Sequence, residues 1–276
     1  MGGGAYGGFN RTSGDATVGS NDLTARAGGF AVGADYRVSP VTTLGFALAG
    51  GFTNWSLAAG LGGGRSDALQ AGAYGVTRDG PAYLAAALAY GGHWLTTDRF
   101  ASAGGVTDHL TAGFTAHSLG ARLETGWRLG SPSAGVTPYA AAQAQNVWLP
   151  AYAETSAAGG PFALSFNARN ATATRGELGA RIDRAIALDD ALLILRARAA
   201  WAHDWTSDPS LQATFQSLPG ASFVVAGAAP ARDAALLSAG SELRLVNRVA
   251  LIGRFESELA ARSATYSGTG TLRYAW

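Results

Sequence analysis

The sequence predicts an all-β fold, a closed up-and-down barrel of twelve antiparallel strands that crosses a membrane. Apolar and polar residues alternate with period two along most of the chain, and short and long connections follow one another in turn. The last segment, 266–276, is itself a strand. Because unpaired backbone groups cannot lie in hydrocarbon, this strand needs a neighbour on both edges. The first strand of the same chain is the simplest neighbour, and pairing with it closes a barrel.

Twelve segments show the alternation, and an even number is what a closed meander requires. In chain order they are 3–11, 26–38, 42–55, 67–78, 82–95, 115–129, 135–148, 174–187, 192–205, 234–246, 248–260 and 266–276. Short turns are expected at 39–40, 79–81, 130–134, 189–190 and 247. Long loops are expected at 12–25, 56–66, 96–114, 149–173 and 206–233, whereas the last connection, 261–265, is short. This asymmetry is typical of outer-membrane barrels, in which the long loops are extracellular.

The composition of the chain excludes several other classes of protein and of binding site. The chain of 276 residues is 47% apolar and only 14% charged, well below the roughly 25% of a soluble domain. No apolar run approaches the roughly 18 to 20 residues of a membrane-spanning helix. All 20 basic residues are Arg, which excludes a lysine-dependent phosphate loop, and the lack of Cys excludes disulfides and thiolate metal sites. The sequence has no cluster of basic residues that would bind nucleic acid.

No signal peptide follows Met1, so we expect export signals upstream and one barrel domain over 1–276.

The charged residues of the predicted strands share one face. In segment 248–260, Leu251, Phe255 and Leu259 alternate with Arg254 and its charged neighbours. An Arg that faces lipid at the bilayer centre costs roughly 2 to 4 kcal/mol, so we expect the charged face to line a wet lumen. A soluble barrel with the opposite orientation would have a core padded with many Ala and Gly residues, which are too small to fill a twelve-stranded interior. The residues expected in the lumen are Arg122, Glu124, Glu177, Arg181, Arg196, Arg198, Glu242, Arg244, Arg254, Glu256 and Glu258.

Four tryptophans fall near the ends of odd-numbered strands, where those strands meet the long loops. They are Trp55, Trp94, Trp148 and Trp205. Tryptophan prefers the boundary between membrane and water, so we expect these four to form an interfacial girdle. Trp127, Tyr274 and Trp276 are expected at the opposite boundary.

Several short motifs resemble, in their order and spacing, the autotransporter β-domain of type V secretion. They are GGAYGG at 3–8, GGFAVGADY at 28–36, GAYG at 72–75, PYA at 138–140, RGELGAR at 175–181, FVVAGA at 223–228 and AGSEL at 239–243. The resemblance implies a translocator and anchor in the Gram-negative outer membrane that supports the export and surface display of an N-terminal passenger. It also implies a linker in the pore, and an aromatic signal, Tyr274 and Trp276, that the barrel-assembly machinery reads. Partners would therefore be outer-membrane lipid, that machinery and the chain's own passenger.

Two other functions remain open at this stage. One is a stand-alone porin or surface-antigen barrel without a passenger. The other is an enzyme, for which His203 and Asp204, with Asp208 nearby, are the only candidates at the extracellular rim. Adjacent residues of a strand point to opposite faces, so His203 and Asp204 would not act on one substrate. His93, His109 and His117 lack a metal-binding spacing. We therefore expect neither catalysis nor a cofactor.

Overall fold

The computed structural model describes residues 1–206, 210–218, 220–226 and 231–275. Twelve long strands account for most of the chain. They are β1 (Gly2–Thr12), β2 (Leu23–Arg37), β3 (Thr42–Leu57), β4 (Gly62–Asp79), β5 (Ala82–Ala103), β6 (Val106–Trp127), β7 (Ala134–Leu149), β8 (Arg169–Leu188), β9 (Ala191–Thr206), β10 (Asp233–Leu245), β11 (Val249–Ala260) and β12 (Ser263–Tyr274). Each predicted strand overlaps one of them.

The twelve strands form a closed antiparallel meander. Each strand pairs with its neighbours in the chain, and β1 pairs with β12 along its whole length, from Gly2 opposite Arg273 to Thr12 opposite Ser263. In the described part of the chain, each barrel strand therefore has a paired strand on both sides. The predicted fold class, a closed barrel of twelve antiparallel strands, is confirmed.

The two faces of the wall differ in chemistry. On β8, Leu178 and Ile182 are 57% and 55% exposed, whereas Glu177, the residue before Leu178, is 5% exposed. The same alternation holds on β11, where Leu251 and Phe255 are exposed outward. Because successive side chains of a strand point to opposite faces, one face of each strand carries the apolar set and the other the charged set. Among the described residues, no helix is both long and apolar enough to cross a membrane.

The predicted long loop at 96–114 is wrong. β5 and β6 continue as a paired hairpin as far as Ala103 opposite Val106. Only Gly104 and Gly105 remain as a turn, with φ of 59° and 80°, values that glycine adopts without steric cost. The hairpin continues past the membrane boundary. There the polarity of the two faces of β6 is reversed, because Leu110 and Ala112 are buried on the inner face whereas Thr111 between them is exposed on the outer face. The alternation therefore no longer matches that of a lipid-facing strand, while the backbone pairing persists.

A small second sheet lies at the long-loop end of the barrel. Its four short strands are Tyr152–Ala153, Leu164–Phe166, Ser210–Phe215 and Ser222–Ala226. The Tyr152 ring stacks between Phe114 of β6 and Phe166, with centroid distances of 4.1 and 4.6 Å. Arg99 of β5 donates to Glu154 through two hydrogen bonds of 2.9 and 2.6 Å. The loop after β7 therefore folds against the inner side of the extended β5–β6 hairpin, and the strands Ser210–Phe215 and Ser222–Ala226 join it through the small sheet.

Candidate functional site

The largest group of charged residues connects β6 and β8 across β7. Arg122 donates from Nη1 and Nη2 to the Glu177 carboxylate at 2.7 and 2.9 Å, and to Glu124 at 2.8 Å. Arg181 donates to both oxygens of Glu124 at 2.6 and 2.8 Å, and its guanidinium lies 4.0 Å from the centroid of the Tyr139 ring. These contacts join strands that are not neighbours. The side chains can meet only by reaching over β7 on one face of the wall, which is the concave inner face.

The ion pairs of the inner face continue onto β9 and β11. Arg198 lies between Glu177 and Glu256, with N to O distances of 3.8 and 3.9 Å. Arg254 approaches Glu256 at 3.7 Å. The first group is therefore connected to β11 through longer and weaker contacts.

A second group surrounds Glu242 of β10, which is 2% exposed. Arg196 contacts its Oε2 at 2.6 Å, and Arg244 donates to its Oε1 at 2.7 Å. Arg273 of β12 also donates to Oε1. Three guanidinium groups therefore share one carboxylate, and the group has an excess of positive charge.

A third group, near the long-loop end, has the opposite balance. Arg175 of β8 donates to both oxygens of Asp204 at 2.7 Å and to both oxygens of Glu258 at 2.9 and 2.8 Å. Charge-assisted pairs of this forked kind are geometrically specific. One guanidinium here serves two carboxylates.

The structure places the eleven charged residues expected in the lumen on the inner face and in these groups, through the ion pairs just described. Several further charged residues belong to the same inner wall. They are Arg175, Asp204 and Arg273, together with Arg128 and Asp183, which pair at 2.7 Å. Their positions in the strand alternation match those of the expected residues, so the sequence contained the signal that identifies them.

Three of the four predicted girdle tryptophans lie on the outer face. Trp94, Trp148 and Trp205 are 53%, 39% and 59% exposed. Trp55 is placed differently and corrects the prediction. On β3 the outward residues are Phe46, Leu48 and Phe52, so Trp55 points inward.

Trp55 packs on the inner wall over Gly64 of β4. A Cβ atom at Gly64 would lie 2.3 Å from the Trp55 ring, so only glycine leaves space for the indole. The prediction for Trp55 used its closeness to a strand end and neglected its place in the alternation. Proximity to the boundary alone does not decide which face a residue occupies.

The candidate catalytic pair is separated by the strand. His203 contacts Asp233 at 2.8 Å on the outer face, whereas Asp204 pairs with Arg175 on the inner face. Asp208 lies outside the described residues. His93 contacts Ser118 at 2.9 Å, and His109 contacts Asp98 at 2.6 Å. In the described part of the chain, no group of three or more acidic or histidine side chains is placed to hold a metal.

The aromatic residues predicted at the end of the chain are only partly described. Tyr274 is exposed on the outer face, and its N–H donates to the carbonyl of Met1 at 2.9 Å. Trp276 lies outside the described residues.

Comparison with known proteins assigns this barrel to a family. The sequence model of the autotransporter β-domain matches residues 2–256. The chain belongs to the autotransporter β-domain family. The match covers eleven of the twelve strands in whole or large part, and it confirms the family predicted from the motifs. Members of this family are outer-membrane barrels, and the predicted outer-membrane location is confirmed with it.

Two solved structures share the fold of this autotransporter β-domain. The translocator domain of NalP from Neisseria meningitidis has a TM-score of 0.78 at 17% identity, covering 100% of this chain and 88% of that one. The β-domain of the Bordetella autotransporter BrkA has a TM-score of 0.71 at 21% identity, covering 100% of this chain and 99% of that one.

A curated relative is much longer than the chain. It is an extracellular serine protease of Serratia marcescens, 27% identical over 199 residues, which are 71% of this chain and 18% of the relative. The chain therefore spans less than a fifth of the protein that it matches.

Proposed function

We propose that residues 1–276 act as one translocator domain, which exports an N-terminal passenger through its lumen and then anchors it at the cell surface. The observation that supports this most is the inner wall itself. Its arginines and carboxylates are joined in groups that extend from β6 to β12. A lining of mixed charge keeps water in the lumen and offers a moving polypeptide many weak contacts instead of one strong binding site.

The outer face supports the anchoring part of the proposal. Large apolar side chains such as Phe30, Leu88, Leu178 and Leu272 are exposed around the whole barrel. Exposed apolar surface of this extent is stable in lipid and not in water. Outer-membrane lipid is therefore the partner of this face.

The passenger and the assembly machinery are the other proposed partners. The passenger, or a linker that follows it, would occupy the lumen during export. Tyr274, at the exposed end of β12, and Trp276 would form the aromatic signal that the barrel-assembly machinery reads.

We also propose that the barrel contributes no catalysis. His203 and Asp204 have different partners on different faces, so neither can orient the other as a general base. Any enzymatic activity of the whole protein would then belong to its passenger. Replacing His203 and Asp204 by Ala should leave any measured hydrolase activity of the whole protein unchanged.

A surface-display assay tests the translocator function. A signal peptide and a small epitope-tagged reporter are placed before residue 1, and external protease is added to intact Gram-negative cells. We expect the reporter to be cleaved while the barrel remains folded, as judged by its heat-modifiable migration on gels. The control carries the reporter in the β8–β9 turn, at Asp189, where it should stay protected in the periplasm. A protected N-terminal reporter on a folded, membrane-inserted barrel would contradict the proposal and favour a stand-alone barrel.

A further inference from the structure

The short-turn end of the lumen carries an excess of arginine. A cavity of about 770 Å³ at this end is bordered by Arg37, Arg78, Arg244, Arg248 and Arg273, and by one carboxylate, Asp35. Arg244 and Arg273 also share Glu242 with Arg196, so six guanidinium groups face two carboxylates in all, a formal excess of four positive charges. The mouth of the barrel on this side is therefore strongly electropositive.

The ion pairs of these arginines do not neutralise that charge. Arg244 and Arg273 share the single carboxylate of Glu242 with Arg196, and the three arginine side chains keep 46%, 40% and 42% of their surface exposed. Among the described residues, no carboxylate lies within 4.0 Å of Arg37, Arg78 or Arg248. Donors of all these groups are thus free to bind a further anion.

The opposite half of the lumen has the opposite balance. There Arg175 serves two carboxylates, Asp204 and Glu258. The charge of the inner wall therefore changes along the barrel axis, from positive at the short turns toward negative near the long loops. Such an arrangement attracts anions to one mouth specifically, because a cleft of one charge sign focuses the field.

We propose that the short-turn mouth is an anion-binding vestibule that holds the acidic side chains of a polypeptide in the pore. This inference rests on the proposed function, because it needs a polypeptide in the lumen. Guanidinium groups bind carboxylates in a forked, charge-assisted geometry, as Arg122 and Glu177 do within the wall. Acidic segments would be retained at this mouth, whereas basic segments would be repelled.

Electrical recording from the barrel in planar bilayers tests the inference. The chain 1–276 is refolded, inserted and exposed on each side in turn to hexaglutamate, hexalysine or sodium phosphate. We expect hexaglutamate to block the current when it is added on the short-turn side, and to block less at high salt, where charges are screened. Hexalysine should not block from that side. Phosphate should block far more weakly at equal charge concentration.

Three variants locate the site. Arg244→Gln with Arg273→Gln should raise the Kd of hexaglutamate about tenfold or more, the change that accompanies a loss of about 1.4 kcal/mol. Arg78→Gln breaks no ion pair among the described residues, so it is the safer variant if the double substitution fails to fold. It should weaken the block in the same direction. Arg26→Gln, on the outer face, is the control with the same loss of charge and should leave the block unchanged.

The outcomes separate this inference from the proposed function. A conducting pore that hexaglutamate does not block, or that hexalysine blocks equally well, would overturn the vestibule and leave the translocator proposal intact. Equal block by phosphate would show a site for free anions and would also overturn the assignment to polypeptide carboxylates. Failure of the reporter to reach the surface would instead count against the translocator function.

Discussion

Arg122 of β6 binds Glu177 of β8 through two parallel hydrogen bonds of 2.7 and 2.9 Å, over the full width of the intervening strand β7. Glu177 is almost fully buried under Arg122, Arg198 and the hydroxyl of Tyr139, which donates to it at 3.2 Å. The pair thus fixes the relative positions of three strands on the inner wall. It is the point where a single substitution should have its largest effect on the charged network.

Glu177→Ala should destabilise the barrel by about 3 kcal/mol, the lower end of the range for breaking a buried ion pair. The loss leaves Arg198 without its buried partner, whereas Arg122 keeps Glu124. The measurement is urea unfolding of the barrel refolded into lipid vesicles, followed by tryptophan fluorescence. The matched control is Glu256→Ala, whose pairs are longer and more exposed and whose removal should cost under about 1 kcal/mol. Equal losses for the two variants would contradict the account of the network.

A charge on the outer face should be costly where a charge on the inner face is not. Leu178→Arg places a guanidinium in lipid and should destabilise the inserted barrel by about 2 to 4 kcal/mol. Thr269→Arg, on the inner face of β12, should change the stability by less than about 1 kcal/mol. The same vesicle-based unfolding assay compares them. A reversed order would mean that the charged face is the one exposed to the surroundings.

The tryptophans should differ in their contact with lipid. We expect brominated lipids to quench the fluorescence of a variant that keeps only Trp94 or only Trp205, because both side chains lie on the outer face. A variant that keeps only Trp55 should be quenched much less, because Trp55 packs inside over Gly64. Similar quenching of Trp55 and Trp94 would mean that Trp55 lies on the outer face, as part of the interfacial girdle.

The first long loop should respond to acid at an unusually low pH. The Thr17 hydroxyl and N–H donate to Asp15 at 2.6 and 3.0 Å, and Arg262 also donates to it, so that the pKa of this carboxyl falls from 3.8 to about 2. Because the pKa is lowered in the folded state, these contacts stabilise the loop above pH 3.8 and are lost as the pH falls toward 2.

Carboxyl carbon NMR of Asp15 measures this pKa directly. Thr17→Ala should raise the pKa of Asp15 toward 3.8 because it removes the hydroxyl donor, and Arg262→Gln should also raise it because it removes the guanidinium donor and its charge. A wild-type midpoint near 3.8 would show that Asp15 is not held in this way.

How well a strand and its two faces can be predicted from the sequence depends on what surrounds that strand. Within the membrane one face meets lipid and the other meets water, so residues such as Leu178 and Arg181 alternate and reveal both the strand and its faces. Beyond the membrane the outer face meets water and carries polar residues. The continuation of β5 and β6 to Ala103 and Val106 therefore places apolar residues such as Leu110 inside, under the loops, a pattern that a search for an apolar lipid-facing side does not recognise.

The groups on the inner wall were predictable as a set, but their connections were not. Alternation places Glu242 and Arg244 on one face, yet only the register of β10, β11 and β12 brings Arg273 to the same carboxylate. Likewise, the stacking of Tyr152 between Phe114 and Phe166 joins segments that lie far apart in the chain. Contacts of this kind depend on register between distant strands, which one sequence does not specify.

The passage of a polypeptide through this barrel is the central claim, and site-specific photo-crosslinking during export tests it most directly. A photoreactive amino acid is placed at 254, on the inner face of β11, or at 255, on the outer face, in cells that export a reporter fused before residue 1. If the polypeptide passes through the lumen, we expect crosslinks from 254 to the reporter chain and none from 255. A reporter that reaches the surface without crosslinking to 254 or to any other inner-face position would contradict passage through the lumen.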